Sequence, residues 1–418
     1  MKTSRRNFIR KVSAGSLAAL AVPSLASASN ERLVSPSGPP DEKYWATVKS
    51  QFMVPRNLVM MNAANLCPSP RTVLEKVKSY QEQLSGDVSM QYRAVFTERR
   101  KKSIELLAKF INAEAAELGI TRNTSESNCT IIHGLDLKPG DEIILWDQNH
   151  PSNKEIWQKR AARSGLVVKL VTTPVDPSSP SELASVFEKA FTPNTRMIAF
   201  SQISNTTGTA LPAKQICGMA RSKGVLSLVD GAQTLGFHKV DVKDLGCDFY
   251  TASTHKWLMG PLENGVLYMR EEHIGRVWPS IIGGGWHDNT NTVDEKICFL
   301  GQRNDPPTAA LPEIIEFHEM IGRENINQRV VDLSRMLKEK IKQRLPQATF
   351  ITPMSPAMSG GIVIVSIPGT DPAAIVKRLY DTHGIAAATT GGVRMSPHIY
   401  NTAEDIDRAV DGLVRSIG

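Results

Sequence analysis

Short apolar runs alternate with helical stretches between residues 118 and 269, and this alternation constrains the fold more than any other feature of the sequence. Seven runs are predicted to be strands, over residues 119–122, 142–146, 167–171, 196–201, 225–229, 249–252 and 265–269. Helical periodicity occurs between several of them, over residues 126–135, 154–164, 181–190 and 212–222. The alternation predicts an α/β fold with a mostly parallel seven-stranded sheet that helices cover on both faces.

The segments on either side of this core complete the domain prediction. A short helix over residues 44–52 and a strand at 58–61 precede helical stretches over 71–84 and 96–112. After residue 301 the pattern changes to helices over 309–321, 324–344 and 373–381, a strand over 361–366 and a last helix from residue 404. We therefore predict a leader at 1–28, a linker and N-terminal segment at 29–58, a large domain at 59–305 and a smaller C-terminal α/β domain at 306–418.

A carboxylate and a lysine follow two consecutive strands of the predicted sheet. The run at 225–229 ends in Asp230, and the run at 249–252 leads into Lys256. A carboxylate buried at a strand end is unfavourable unless it meets a cation, and open α/β sheets bind ligands at such strand ends. A pyridinium nitrogen is such a cation, and a lysine that forms a Schiff base is its natural companion. These two residues therefore indicate pyridoxal phosphate (PLP) as the cofactor.

Polar turns at three other strand ends extend this site. Thr124 and Ser125 open a helix whose free backbone N–H groups suit a phosphate, although the same residues also serve as ordinary helix caps. His150 follows the second strand, and Asn205 lies in the polar turn after the fourth. Because the carboxyl ends of parallel strands meet at one crevice, we expect these residues to face Asp230.

The first 28 residues have the composition of an export signal. Twin arginines, Arg5 and Arg6, precede an apolar run at 12–25 and an Ala-Ser-Ala sequence that ends at Ala28. This pattern predicts a twin-arginine (Tat) signal cleaved after Ala28, the alternative being the basic region of an ordinary secretory signal. The run is too short for a permanent membrane span. Because the Tat machinery exports folded proteins, we expect a periplasmic protein that acquires its cofactor in the cytoplasm.

The patterns of charge, glycine and cysteine argue against several other classes of protein. The formal charge of +7 includes five leader cations, so the chain without its leader carries only +2 and gives no sign of nucleic-acid binding. The five cysteines are scattered without a CxxC pair, so we predict buried free thiols and no metal site, with one disulfide as the alternative. A nicotinamide-dependent dehydrogenase is disfavoured because no G-x-G-x-x-G follows an early strand.

Three motifs together resemble one enzyme family. Residues 230–233 read Asp-Gly-Ala-Gln, residues 253–257 read Ser-Thr-His-Lys-Trp, and Gly260 and Pro261 follow. This combination resembles class V of the fold-type I PLP enzymes, the group of isopenicillin N epimerases, cysteine desulfurases and kynureninases, and is most similar to exported isopenicillin N epimerase-like proteins. The resemblance runs from residue 59 to the C-terminus. It implies the fold-type I transferase fold and a homodimer.

The resemblance also implies a role for each cofactor residue. Lys256 would form the internal aldimine with PLP and move the Cα proton, Asp230 would bind the pyridine nitrogen, and His150 would stack on the ring. Gln302 replaces the usual threonine in a turn that reaches the neighbouring subunit's phosphate. Asn205 and Gln233 are expected near the phenolic oxygen. The phosphate is expected to be surrounded by Thr124, Ser125, Ser253 and His255.

Two residues are assigned to the substrate. Arg394 lies in a segment similar to the one whose arginine binds the substrate α-carboxylate in the family, and planar guanidinium donors suit a carboxylate. Asn62 lies in a turn of small and amide residues suited to an active site. We therefore expect a small-molecule substrate with both an amino and a carboxylate group.

PLP supports several reactions at Cα. The sequence excludes some of these reactions more readily than it identifies the one that takes place. A cysteine desulfurase needs a nucleophilic cysteine before the carboxylate arginine, and residues 383–394 contain none. Because free amino donors and keto acids are scarce outside the cytoplasm, we predict an aminotransferase-like enzyme acting on the α-amino acid moiety of a small molecule or peptide-derived metabolite. The alternatives are an epimerase or C–S lyase of the same family, and a PLP-fold protein that binds ligand without turnover.

Overall fold

The computed structural model describes residues 33–417, so the predicted signal peptide lies outside the described residues. The strands are β1 (Val59–Met60), β2 (Leu118–Thr121), β3 (Glu142–Trp146), β4 (Val167–Val171), β5 (Thr195–Ser201), β6 (Leu226–Asp230), β7 (Phe249–Ser253), β8 (Gly265–Met269), β9 (Thr349–Phe350), β10 (Val363–Ser366), β11 (Ile385–Ala386) and β12 (Val393–Met395). The α-helices are α1 (Glu42–Ser50), α2 (Arg71–Gly86), α3 (Met90–Phe110), α4 (Thr124–Gly134), α5 (Pro151–Ser164), α6 (Pro180–Glu188), α7 (Ala213–Ser222), α8 (Val242–Leu245), α9 (Val293–Lys296), α10 (Asp305–Ala309), α11 (Leu311–Ile321), α12 (Arg323–Arg344), α13 (Pro372–His383) and α14 (Ala403–Arg415). Short 3-10 helices cover Ala115–Glu117, Glu271–Arg276 and Pro356–Met358.

Seven strands form the central sheet in the spatial order β2-β8-β7-β6-β5-β3-β4. The strands from β7 to β4 pair in parallel, whereas β8 runs antiparallel to both of its neighbours. Strands β6 and β7 are buried almost throughout because helices cover both faces, whereas Val167 and Leu170 are exposed because β4 forms an edge. The predicted mostly parallel seven-stranded sheet is therefore confirmed.

Two helix starts bring polar groups to the carboxyl edge of this sheet. Helix α4 begins directly after β2, where the Asn123 side chain accepts a hydrogen bond from the Glu126 backbone N–H at 3.0 Å. Helix α5 follows β3, with His150 as its N-cap and Pro151 as its first residue, a position where a missing N–H is tolerated. The polar turns that the sequence places after strands thus lie at neighbouring helix N-termini.

A close contact between β6 and β7 depends on a glycine. Gly231 directly follows β6, and a Cβ atom there would lie 2.0 Å from the Tyr250 side chain of β7. Any larger residue would push the two strand ends apart. The glycine therefore keeps Asp230, at the end of β6, close to the turn that follows β7.

A smaller sheet in the order β12-β10-β9 packs with helices α12, α13 and α14 in the C-terminal part of the chain. The N-terminal strand joins this core, because β1 pairs in parallel with β11 and Val59 is buried among the same apolar side chains. An ion pair of 2.6 Å between Lys49 and Asp405 links α1 to α14. The predicted smaller α/β layer is present, and the domain boundaries at residues 58 and 305 stay predictions.

All five cysteines are free thiols, and four of them are buried. Among residues 33–417, Asp248, Glu272 and His273 form one group of potential metal ligands. Arg270 already brings a cation within 3.7 Å of the Asp248 carboxylate, so this group is an internal ion-pair network. None of the helices within residues 33–417 combines the length and the hydropathy that a membrane crossing requires.

Candidate active site

The ends of β6 and β7 and the N-termini of α4 and α5 surround a cavity of about 190 Å³. This is the edge at which open α/β sheets bind ligands. The cavity is lined by Asn123, Thr124, Ser125, His150, Ser152, Asp230, Ala232, Ser253, His255 and Lys256. The structure therefore brings together most of the residues to which the sequence assigns the cofactor.

Asp230 is the buried acid of the cavity, with 2% of its surface exposed. Its Oδ2 accepts a hydrogen bond from Asn128 Nδ2 at 2.9 Å, and its Oδ1 accepts one from the Ala232 backbone N–H at 3.1 Å. Asn128 is in turn oriented by Thr251, whose hydroxyl donates to Asn128 Oδ1 at 2.7 Å. These contacts hold the carboxylate in one orientation, and Asp230 forms no ion pair within residues 33–417.

Lys256 lines the same cavity as the helix N-termini and is partly exposed because it faces that cavity. Removal of water by the surrounding protein lowers the pKa of its amine, and the nearby Arg394 guanidinium lowers it further. The Asp230 carboxylate acts in the opposite direction and raises this pKa. The net lowering of the pKa makes the neutral amine, the form that can act as a nucleophile or a base, easier to reach.

Hydroxyl and imidazole groups gather at the N-terminus of α4. The Thr124 backbone N–H donates to Ser253 Oγ at 2.8 Å, and the hydroxyls of the two residues lie 2.6 Å apart. His255 Nδ1 is buried without a hydrogen-bond partner among residues 33–417. Burial and the nearby Lys256 lower the pKa of His255 to about 4, so its imidazole stays neutral. The group offers hydroxyls and a free ring nitrogen beside a positive helix end.

His150 contributes an imidazole to the same cavity. Its Nδ1 accepts a hydrogen bond from the Ser152 backbone N–H at 3.2 Å and lies 2.8 Å from Ser152 Oγ. Burial and the nearby Lys256 lower the pKa of His150. The ring is therefore held neutral, with one nitrogen tied to the first turn of α5.

Arg394 forms a second cluster with the two asparagines that the sequence places near the site. One guanidinium nitrogen donates to Asn62 Oδ1 and the other to the Asn205 carbonyl oxygen, both at 3.1 Å. The Arg394 side chain is 5% exposed, and burial lowers its pKa to about 10. Neither an acidic partner nor an acceptor for its Nε atom is present within residues 33–417.

The two predicted glutamines lie outside the main cavity. Gln233 Nε2 donates to the Ala64 carbonyl at 2.9 Å, and its Oε1 accepts from the Trp257 indole N–H at 2.7 Å, so protein groups occupy both ends of this amide. Gln302 lines a separate cavity of about 260 Å³ together with Arg100 and Arg303. A contact between Gln302 and the cofactor of a neighbouring subunit stays a prediction.

Asn128 is a site residue that the sequence interpretation missed. It lies one helical turn after Thr124, so both side chains point to the same side of α4. The sequence does contain a signal for Asn128, namely a polar residue one helical turn after Thr124, which is assigned to the phosphate. The contact that matters, between Asn128 and Asp230, joins residues 102 positions apart and follows only from the tertiary structure.

Known isopenicillin N epimerases and cysteine desulfurases are similar to this chain over most of their lengths. The isopenicillin N epimerase of Amycolatopsis lactamdurans is 30% identical over 394 residues, which cover 88% of this chain and 98% of the relative. The isopenicillin N epimerase of Streptomyces clavuligerus is 29% identical, with 88% and 97% covered. A probable cysteine desulfurase of Pyrococcus abyssi is 28% identical, with 85% and 93% covered.

Solved structures share the fold. A cysteine desulfurase of Escherichia coli has a TM-score of 0.79 at 24% identity, with 89% of this chain and 98% of that chain covered. A mutant of the enzyme C-DES, with glycine covalently linked to its PLP cofactor, has a TM-score of 0.80 at 24% identity, with 90% and 99% covered. These similarities confirm the predicted fold-type I architecture.

The sequence model of the family described as "Aminotransferase class-V" matches residues 60–409. This match covers most of the chain and agrees with the motifs around Asp230 and Lys256, so the predicted resemblance is confirmed. The protein belongs to the class V aminotransferase family of PLP-dependent enzymes.

Proposed function

We propose that this PLP-dependent enzyme removes the Cα proton from the α-amino acid moiety of a small molecule or peptide-derived metabolite, with an aminotransferase-like outcome. The observation that carries the proposal is the setting of Lys256. Its amine faces the cavity, has a lowered pKa, and is within electrostatic reach of both Asp230 and Arg394. A lysine near both an acid for the cofactor and a cation for the substrate is placed to accept the Cα proton.

The residues of the cavity fit PLP. Asp230 is a buried carboxylate without an ion pair in the described part of the chain, and a protonated pyridine nitrogen would offset its burial. Thr124, Ser125 and Ser253 with the unpartnered His255 Nδ1 suit the phosphate at the N-terminus of α4. When bound, PLP delocalises the electron pair left at the substrate Cα.

The setting of Arg394 suits the binding of a substrate carboxylate. A buried guanidinium without an acidic partner is unfavourable, and an anionic ligand would relieve that cost. Asn62 and the Asn205 carbonyl bind the two terminal nitrogens and hold the planar group in place. A rigid arginine recognises the planar carboxylate geometry that an amino acid moiety presents.

The cysteines argue against desulfurase chemistry. That reaction requires a thiolate, and Cys67 is the cysteine that lies near Lys256. Burial raises the pKa of the Cys67 thiol to about 12, so the thiol stays protonated at neutral pH. The segment 383–394 before and including Arg394 has no cysteine. We therefore favour proton transfer at Cα over sulfur transfer to a cysteine.

Epimerisation is the second candidate, because the chain is 30% identical to an isopenicillin N epimerase over 88% of its length. Both candidates begin with removal of the Cα proton by Lys256. They differ in where a proton returns, at Cα for epimerisation and elsewhere for transamination. A C–S lyase remains a family alternative, and a protein that binds PLP without turnover is the alternative from another class.

Product analysis in deuterium oxide separates these reactions. We expect the holoenzyme, incubated with a panel of L- and D-amino acids and short peptides, to yield a keto product together with the amine form of the cofactor. Deuterium at Cα with the amine retained and the configuration inverted would instead indicate epimerisation. Release of sulfide or a thiol from cystine would indicate a C–S lyase. A bound cofactor whose spectrum no amine changes would contradict an enzymatic role.

We propose export through the Tat route, on the basis of Arg5 and Arg6 in the leader. Because the Tat pathway reads the twin arginines, replacing both with lysine should trap the precursor in the cytoplasm. Cell fractionation with antibody detection measures the distribution, and a replacement of Lys2 alone provides the control. Normal periplasmic accumulation of the double variant would exclude this route.

We further propose a homodimer. Ile281 shares a cavity with Gln302, and the neighbouring Trp278 and Ile282 are large apolar side chains that are 63% and 48% exposed. Apolar side chains grouped in this way suit contact with a second subunit. Sedimentation equilibrium should give twice the chain mass, and Trp278→Asp should shift it toward the monomer. A wild-type protein that sediments as a monomer would refute the proposal.

A further inference from the structure

The turn that carries Lys256 is held by its backbone carbonyl groups. Inside the turn, the Met259 N–H donates to the Lys256 carbonyl at 2.9 Å and the Gly260 N–H to the Thr254 carbonyl at 2.8 Å. Met259 has a φ of 59°, a left-handed conformation that is unfavourable for a non-glycine residue. A turn with such a residue needs support from the surrounding structure.

His398 supplies one support. Its Nε2 lies 2.9 Å from the Trp257 carbonyl, directly after Lys256. Its Nδ1 accepts a hydrogen bond from the Ile399 backbone N–H at 2.7 Å, so the ring proton is on Nε2 and donates to Trp257. The ring also lies against the Trp257 indole, with 5.4 Å between ring centroids.

His318 supplies a second support from α11. Its Nε2 lies 3.0 Å from the Leu258 carbonyl, the next one along the turn. His318 and His398 are both completely inaccessible to solvent. Burial lowers the pKa of His318 to about 3 and that of His398 to about 4, so both rings are neutral donors at physiological pH.

A third contact comes from the N-terminal part of the chain. The Cys67 backbone N–H donates to the His255 carbonyl at 2.9 Å, immediately before Lys256. Three separate segments of the chain thus bind the carbonyls of His255, Trp257 and Leu258. The Thr254 and Lys256 carbonyls are instead bound inside the turn itself.

We propose that His318 and His398 are positioning residues that fix the direction of the Lys256 side chain through the Leu258 and Trp257 carbonyls. They do not touch the reacting atoms. Loss of either donor leaves a buried carbonyl without its partner and allows the turn to relax. Because the reactivity of a catalytic group depends on its placement within fractions of an ångström, the reaction of Lys256 should slow. The inference rests on the proposed role of Lys256.

Two variants of His398 and a matched control test the proposal in the holoenzyme. His398→Leu removes the donor, whereas His398→Gln keeps an amide N–H near the position of Nε2. His273→Gln is the control, because His273 is also a buried histidine but binds Asp248 at the opposite edge of the sheet. His318→Leu provides an independent second test if His398→Leu does not fold.

Hydrogen exchange of residues 254–260 and circular dichroism of the bound cofactor are the measurements that do not depend on turnover. We expect exchange in this segment to accelerate at least about tenfold in His398→Leu and His318→Leu, with a weaker cofactor signal. The same segment should exchange at the wild-type rate in His273→Gln. His398→Gln should restore most of the protection.

Reaction of the bound cofactor with aminooxyacetate, an oxyamine with a carboxylate, tests the chemical consequence. We expect its maximal rate to fall about tenfold to a hundredfold in His398→Leu, with little change in the half-saturating concentration because Arg394 is intact. Wild-type exchange and wild-type rates in both leucine variants would overturn the positioning role. If Lys256→Ala retained the lysine-bound cofactor band, the proposed function would fail instead, independently of the exchange result.

Discussion

Replacing Lys256 with alanine is expected to remove the visible absorption band of the lysine-bound cofactor and to lower turnover by about 10²–10⁴-fold, the range for losing a general base. Within residues 33–417, Lys256 is the only lysine that lines the cavity. Alanine therefore leaves no amine that can bind the cofactor covalently or accept the Cα proton. Absorption spectra and single-turnover rates of the protein reconstituted with PLP provide the measurement.

Lys338 offers a matched control for the loss of an interior lysine. It is 4% exposed, and its amine donates to the Pro353 carbonyl at 2.7 Å and to Ser359 Oγ at 2.9 Å. Lys338→Met should lower the melting temperature because these acceptors lose their partner, while the cofactor band stays. An unchanged band in Lys256→Ala would show that another group holds the cofactor.

Replacing Asp230 with asparagine is expected to leave cofactor bound but to lower turnover by about 10²–10³-fold, the effect of removing one preorganised electrostatic contact. The substitution keeps the size of the side chain and removes its negative charge. A protonated ring nitrogen then loses the partner that stabilises it, so the cofactor withdraws electrons from Cα less strongly. Steady-state kinetics and the pH dependence of the cofactor spectrum measure both effects.

Asp248 is the matched control for Asp230. It is also a buried aspartate next to a strand of the same sheet, but it binds Ser227 and His273 at the opposite edge. Asp248→Asn should reduce the stability of the fold without altering the cofactor spectrum. Asp230→Asn with wild-type turnover would refute the role of Asp230, whatever the control shows.

The central sheet could be predicted from local patterns. The runs at 196–201 and 225–229 predicted β5 and β6, which the structure places at Thr195–Ser201 and Leu226–Asp230. Strands buried on both faces are continuous apolar runs, so they can be identified without any knowledge of their neighbours. The reversed direction of β8 could not be identified in this way, because apolar periodicity does not encode strand direction.

The cavity was only partly predictable. Asp230 and Lys256 follow recognisable strand ends, and these ends meet because the strands are adjacent and parallel. Asn128 and His398 were not identified, because each acts through one contact with a residue more than a hundred positions away. For Gln233 the sequence motif predicts a contact with the cofactor, but in the structure its amide is bound by Ala64 and Trp257.

The order of residues along the chain specifies the strands, the acid and the lysine at their ends, and the family, because these depend on local patterns and short motifs. The orientation of those groups depends on the folded chain. The donor that holds Asp230, the two histidines behind Lys256 and the pair of asparagine contacts on Arg394 all come from distant segments. Such contacts form only after packing has excluded water and brought these segments within hydrogen-bond distance, which is why local patterns do not contain them.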